Sequence, residues 1–159
     1  HSNYNTREQI IACDDPIGFD GIYRNVYENK DVLEGKTGIF FVMGDYMGKD
    51  NSFDLPNVPA KERYCTWDEI IELISDYKFM IGWHTWSHPD LTTLSDEEIR
   101  KEITPPFPMD TFAYPYGRYN DRVIQLVKEA GYKYAFSVTQ GSQNESDPDY
   151  NYKIYRSYI

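Results

Sequence analysis

Cysteine, histidine and long apolar runs are scarce in this chain of 159 residues. Its two cysteines are too few for a disulfide scaffold and do not identify a redox compartment. No stretch of about 18 apolar residues occurs, so no segment is predicted to span a membrane. With 16 basic against 26 acidic side chains and a net charge of -10, the chain also lacks the basic patch that nucleic acid or anionic lipid requires. We therefore expect neither as a partner.

The apolar content is sufficient for a folded core. At 159 residues and 40% hydrophobic side chains, the chain is long enough for one domain and short for two, so a single domain over residues 1–159 is predicted. The chain begins at His1 rather than Met, as expected of a processed product or a cut piece, and any original signal peptide would not be visible.

Strand-like and helix-like segments alternate along the chain. Strands are predicted at residues 10–13, 37–43, 79–83, 111–114, 134–138 and 153–155. Helices are predicted loosely over residues 21–33, after capping boxes that begin at Thr66 and Ser95, and from Asn120 to Gly131. This order predicts an α/β fold with a mainly parallel sheet, either open or closed into a barrel, and helices packed outside.

The segment His-Thr-Trp-Ser-His places His84 and His88 four positions apart, and the only other histidine is His1. This spacing lets both imidazoles bind one metal ion, but a stable site needs a third protein ligand. The pair alone is weak evidence, since such histidines are as often surface or core residues. Asp14 and Asp15 offer the missing carboxylate.

Three polar clusters follow predicted strands. Asp14 and Asp15 follow the first, the two histidines follow the strand that ends at Trp83, and Pro115 and Tyr116 follow the strand that ends at residue 114. The carboxyl ends of parallel strands gather the active site in α/β sheets and barrels. These clusters are therefore predicted to converge in one cleft.

Such a convergence predicts metal-assisted acyl hydrolysis. Asp15, His84 and His88 would form a two-histidine, one-carboxylate set with positions open for water and substrate. A metal there would acidify its water and polarise a substrate carbonyl. Asp14 could then accept the water's proton, and the backbone N–H of Tyr116 could hold the developing oxyanion.

The order of these motifs resembles that of the NodB-homology polysaccharide deacetylases, carbohydrate esterase family four. The resemblance runs from about residue 10 to 156 through Asp-Asp, G-I-F-F-V, H-T-W-S-H-P-D-L, F-A-Y-P-Y-G and G-Y-K-Y-A-F-S-V. It implies a distorted, incomplete (β/α) barrel and a divalent metal, commonly zinc, that serves to remove acetyl groups from N- or O-acetylated polysaccharide or oligosaccharide. It also favours an extracellular or cell-envelope location. By position it matches Asp14 to the family's catalytic base, Asp15, His84 and His88 to its metal triad, and Tyr116 to its oxyanion tyrosine.

The chain departs from the family pattern at three places. Pro16 stands where many members have Gly after Asp-Asp, and Ala113 stands where many carry the arginine that orients the base. Arg156 is a candidate replacement for that guanidinium, although an arginine there is more often a surface ion-pair partner. The family's late Leu-x-x-His, whose histidine acts as general acid, has no counterpart because no histidine follows His88.

Each candidate also has a purely structural interpretation. Asp14, Asp15 and Pro16 alone would favour a simple turn, and Tyr116 could be a packing residue. Trp86, Tyr114 and Pro115 are candidate substrate contacts, although Trp86 and Tyr114 are as consistent with core packing as with a wall of the substrate cleft.

Two functions remain open: a metal-dependent deacetylase, or a deacetylase-like carbohydrate-binding protein that keeps the metal without efficient turnover. A binding protein would have no need of the spare carboxylate of Asp14, which favours the enzyme. A metal hydrolase acting on small amides is a weaker alternative.

Overall fold

The computed structural model describes residues 4–13, 15–50, 62–138 and 146–155. The helices are α1 (Arg7–Ala12), α2 (Arg24–Glu28), α3 (Trp67–Asp76), α4 (Asp96–Ile103) and α5 (Asp121–Glu129). The strands are β1 (Ile17–Asp20), β2 (Thr37–Val42), β3 (Lys78–Trp83), β4 (Thr111–Ala113), β5 (Tyr134–Ser137) and β6 (Ile154–Tyr155), which form one sheet in that order. No helix in these ranges combines the length and the apolar character needed to cross a membrane.

Six strands joined in sequence order, with helices between most of them, have the topology of an incomplete (β/α) barrel. The pairs β1 with β2, β3 with β4, β4 with β5, and β5 with β6 are all parallel. Parallel neighbours need crossover connections, and α3, α4 and α5 provide three of them. The predicted α/β fold class is confirmed.

The chain divides into two compact units, the first ending at Ile81 and the second running from Gly82 to Tyr158. In the first unit the rings of Phe19 and Phe79 lie 5.4 and 4.7 Å from that of Phe40, which joins β1, β2 and β3 in one aromatic core. Gly38 on β2 permits this packing, since a Cβ there would lie 2.0 Å from the carbonyl oxygen of Ile17. The prediction of a single domain stays a prediction.

The second unit packs α4 against α5 beside strands β4 to β6. The apolar faces of both helices are buried, through Ile99 and Ile103 on α4 and Val123, Ile124, Leu126 and Val127 on α5. Burial of such a stripe supplies most of the stability of short helices.

Helices α3, α4 and α5 begin where their local sequence signals predicted. Thr66 and Ser95 form complete capping boxes with Glu69 and Glu98, and the side chain of Asn120 accepts a hydrogen bond from Val123 N. These bonds satisfy amides that would otherwise lack a partner at the helix start. The predicted helix over residues 21–33 is instead two short pieces, α2 and a 3₁₀ turn at Lys30–Leu33.

The strand predicted at residues 10–13 is wrong, because these residues belong to α1 and the loop after it. A short apolar run does not distinguish a strand from a buried helix turn. The decisive signal was the capping box of Thr6 and Gln9, in which each side chain bonds the other's backbone amide, at 3.2 and 2.8 Å. The first strand is therefore β1, and Asp15 precedes it rather than following a strand.

Glu69 should stabilise the first unit in a pH-dependent way. Burial alone would raise the pKa of Glu69, but hydrogen bonds from Arg63, the amide of Thr66 and Arg24 lower it to about 2. A lowered folded-state pKa contributes stability above the ordinary value of 4.5 that is lost as the pH falls towards about 2. Glu69→Gln should therefore lower the free energy of unfolding by about 2 kcal/mol at pH 7, and by roughly half as much at pH 3, which is still above the folded-state pKa. Urea denaturation at both pH values measures this.

The matched control is Glu72→Gln on the same helix, where the ion pair with Lys30 is exposed at both ends and contributes little. An equal loss for Glu69→Gln at both pH values would contradict the electrostatic account.

Candidate active site

His84 and His88 lie directly after β3 with their ring nitrogens converging. Their Nε2 atoms are 3.1 Å apart and their ring centroids 4.8 Å apart. Both side chains are buried, with exposed fractions of 1% and 7%. Two ring nitrogens this close need a proton or a metal between them, because two facing lone pairs, like two facing N–H groups, would repel.

The backbone of β4 sets the proton position on His84. Its Nδ1 lies 2.7 Å from the carbonyl oxygen of Ala113. A carbonyl can only accept, so Nδ1 carries the proton and Nε2 presents its lone pair towards His88. This is the tautomer that a metal-binding histidine needs, oriented by the hydrogen bond on its other nitrogen.

The geometry fits a shared divalent metal. Two nitrogens each about 2.0–2.1 Å from one zinc ion, at a near-tetrahedral angle, are separated by about 3.1–3.4 Å. The observed 3.1 Å also fits a hydrogen bond from His88 Nε2 to His84 Nε2. Within the ranges that the structure describes, no group of three or more His, Cys, Asp or Glu is placed to hold a metal. The two histidines could supply two ligands of such a site.

Strained backbone surrounds the histidines. In the described part of the chain, the non-glycine residues with positive φ are Thr85 (72°), His88 (59°) and Tyr116 (59°). Thr85 Oγ1 accepts a hydrogen bond from His88 N at 3.0 Å, which closes the loop between the two rings. Such strain persists only where neighbouring contacts hold it and is often found at functional sites.

Tyr116 lies beside His88, as the sequence predicted. Their ring centroids are 4.7 Å apart, and the tyrosine side chain is 45% exposed. An ion pair braces the two loops, since Arg118 donates to Asp90 at 2.7 Å. Hydrogen bonds from Thr92, together with Arg118, lower the pKa of Asp90. The structure thus brings His84, His88 and Tyr116 together at the ends of β3 and β4.

The structure corrects the prediction that Tyr114 lines the substrate cleft. Tyr114 is 1% exposed, and its hydroxyl donates to the carbonyl oxygen of Tyr152 at 2.8 Å. Burial raises the pKa of this hydroxyl. Pro115 is buried as well. Both are core residues, whereas Trp86 is only partly buried and remains a candidate substrate contact.

Asp15 lies near the amino-terminal ends of β1 and β2. It is exposed, precedes β1, and its Oδ1 accepts a hydrogen bond at 3.3 Å from the amide of Thr37, where β2 begins. The positional argument for Asp15 as a metal ligand, that it follows a strand, is therefore wrong. Asp14, the predicted base, and Arg156, its predicted support, lie outside the described residues.

Asp20 is a buried carboxylate that the sequence reasoning did not consider. It is the last residue of β1, is 4% exposed, and lies at the opposite end of that strand from Asp15. Gly21 follows with φ 61°, and its amide donates to the carbonyl of Phe41 at 2.9 Å. The Asp-Gly pair was the available signal, but β1 (Ile-Gly-Phe-Asp) is too short to show a clear apolar pattern.

Comparison with known proteins identifies related sequences. A family model described as polysaccharide deacetylase matches residues 19–135, so Asp20 lies inside the match and Asp14 and Asp15 lie before it. The peptidoglycan-N-acetylmuramic acid deacetylase of Bacillus subtilis is 30% identical over 149 residues, 83% of this chain and 48% of that protein. The poly-β-1,6-N-acetyl-D-glucosamine N-deacetylase of Staphylococcus aureus is 27% identical over 151 residues, 84% and 51% respectively. The chain spans about half the length of these relatives.

Solved structures share the fold. IcaB from Ammonifex degensii aligns with a TM-score of 0.70 and 18% identity, covering 89% of this chain and 66% of that one. The Streptococcus pyogenes deacetylase PplD aligns with a TM-score of 0.67 and 17% identity, covering 94% and 70%. Together with the family match over most of the sequence, these findings lead to one conclusion: the chain belongs to the polysaccharide deacetylase family.

Proposed function

We propose that this protein is a metal-dependent hydrolase that removes acetyl groups from an N- or O-acetylated polysaccharide, with zinc as the first candidate metal. The observation that supports this most is the convergence of the two Nε2 atoms, with the His84 tautomer set by Ala113. When bound, the metal would supply an acidified water and a Lewis acid for the substrate carbonyl.

The protein residues then have distinct roles in the proposal. His84 and His88 bind the metal, and the carbonyl of Ala113 keeps the lone pair of His84 directed at it. The backbone N–H of Tyr116 is the proposed oxyanion donor. The ring of the same tyrosine lies beside the ring of His88. Trp86 is the proposed sugar contact. Asp14 remains the predicted base and Arg156 its predicted support.

A second candidate function is carbohydrate binding with little turnover, and the end of β1 favours it. The resemblance to the family gives two adjacent aspartates, the base first and the metal ligand second, whereas in β1 a phenylalanine, Phe19, precedes the buried Asp20. Phe19 has no basic atom with which to accept a proton, and its ring is 2% exposed and packs on Phe40. If Asp14 does not act as the base, a metal-binding site without efficient catalysis would result.

One experiment separates the two functions. Zinc-loaded protein is incubated with a panel of acetylated glycans, and acetate release and glycan binding are measured on the same samples. The hydrolase should release acetate, and Asp14→Asn should lower that rate by roughly a hundredfold or more, as expected for loss of a general base. Binding without acetate release, unchanged in Asp14→Asn, would instead support the carbohydrate-binding protein.

Within these 159 residues no histidine follows His88, so a protein of this sequence is expected to prefer esters. Hydrolysis of an N-acetyl group expels the sugar amine, which must be protonated as it leaves, whereas hydrolysis of an O-acetyl ester expels a better leaving group and depends less on a general acid. We expect kcat/KM on acetylxylan to exceed that on an N-acetylglucosamine oligomer by about a hundredfold, the lower end of what a general acid contributes. Acetate release under identical metal-loaded conditions measures this. Faster amide cleavage would show that another group donates the proton.

A further inference from the structure

Glu102, near the carboxyl end of α4, binds the loop between the two histidines. Its Oε1 accepts hydrogen bonds from the amides of Trp86 and Ser87, at 3.0 and 2.9 Å. Its Oε2 accepts one from the Ser87 hydroxyl at 2.6 Å. Two successive amides directed at one anionic oxygen form an anion-binding concavity, here occupied by a side chain of the same protein.

The end of α4 and the loop are also joined through two tryptophans. The indole N–H of Trp83 donates to the carbonyl of Glu102 at 2.9 Å, and that of Trp86 donates to the carbonyl of Thr104 at 2.8 Å. Carbonyls at the end of a helix have no partner within it. Residues on both sides of His84 therefore attach to the same helix end.

The stability of α4 does not explain a carboxylate at this place. The negative end of the helix dipole disfavours an anion in the last turn, where Arg100 and Lys101 fit the expected pattern. The contacts of Glu102 go to the loop instead. Both Thr85 and His88, which flank the two bound amides, are in the left-handed backbone region. A loop strained at two points needs external contacts to keep its conformation.

We propose that Glu102 is a positioning residue that holds the His84 to His88 loop in the conformation in which the two Nε2 atoms converge. The identity of the metal bound by those nitrogens rests on the proposed function, whereas the role of Glu102 in the loop does not. Glu102 itself touches neither histidine ring in the contacts above, and its three bonds are to the loop between them.

The test compares Glu102→Ala, Glu102→Gln and the control Glu97→Ala, whose side chain is exposed on the same helix. In metal-free protein, NMR measures hydrogen exchange at the Trp86 and Ser87 amides and the ring nitrogen resonances of His84 and His88. Zinc affinity is measured by competition titration. Glu102→Ala should speed exchange, shift the ring resonances and weaken zinc binding by about 10–100-fold, the usual effect of losing a group that orients a ligand. Glu102→Gln keeps an acceptor oxygen and should retain most of the affinity.

If Glu102→Ala showed the same amide exchange rates and the same ring resonances as the wild type, the proposal would be overturned, whatever the change in melting temperature. If the wild-type protein binds no zinc, the proposed hydrolase fails, and the metal-free NMR comparison still decides the role of Glu102. Should Glu102→Ala not fold, Ser87→Ala removes the Oε2 contact alone and should speed exchange at the two amides to a smaller extent. Unchanged exchange in that variant would also overturn the proposal.

Discussion

Replacing either His84 or His88 by alanine should abolish stoichiometric zinc binding. The two Nε2 atoms are 3.1 Å apart, so each variant removes one of two converging donors. Zinc sites need three or four protein ligands, and losing one should weaken the affinity by at least about a hundredfold. Acetate release should fall with the metal content. Elemental analysis after dialysis against a weak chelator, with circular dichroism to confirm folding, measures the effect.

The natural control is His1→Ala, which removes the only other histidine of the chain and should leave zinc content unchanged. The two site variants also differ in a useful way. His84→Ala removes the hydrogen bond to the Ala113 carbonyl, while His88→Ala leaves it intact. If both variants kept one zinc per chain, the histidines would form only a hydrogen-bonded pair, and the metal assignment would be wrong.

Asp20→Asn should impair metal binding far more than Asp15→Asn. Asp20 is a buried carboxylate at the carboxyl end of β1, the end at which α/β folds place their functional groups. Asp15 is exposed and bonds the first amide of β2 at the other end. We expect Asp20→Asn to weaken zinc binding by about a hundredfold or more, beyond the effect of losing an indirect support. Asp15→Asn should stay within a few-fold of the wild type.

These two variants form a matched pair, because each exchanges one carboxylate for an amide of the same shape in the first unit. Zinc titration and acetate release are measured on both, with thermal unfolding to separate a folding defect from a binding defect. The reverse ranking, with Asp15→Asn losing the metal and Asp20→Asn retaining it, would support the sequence-based assignment of Asp15 and exclude Asp20 as a ligand.

Much of the local structure could be predicted because its causes are short-range. The capping boxes at Thr66 and Ser95 satisfy amides three residues away, so the starts of α3 and α4 follow from a few adjacent residues. The continuous apolar run that forms β2 is visible for the same reason. The start of α1 had an equally local signal at Thr6 and Gln9, which the apolar residues after it outweighed.

The site was predictable where its residues adjoin a clear strand. His84 and His88 were identified by spacing and by their place after β3, and Tyr116 by its turn after β4. The place of Asp20 at the end of a strand was not predictable, because β1 has only four residues, including a glycine and an aspartate. Which Asp follows a strand depends on the pairing of β1 with β2, a contact between residues about 20 positions apart.

By itself, the sequence determined the α/β class, the family, the starts of α3, α4 and α5 and the histidine pair, because these depend on composition, motif order and interactions within a few residues. Only the tertiary structure decided which nitrogen of His84 carries the proton, that Tyr114 is core, and that Glu102 binds the histidine loop. Those features depend on contacts with Ala113, Tyr152 and the amides of Trp86 and Ser87, which lie 15 to 38 positions away along the chain. No local pattern encodes such contacts, because they exist only once strands and helices have packed.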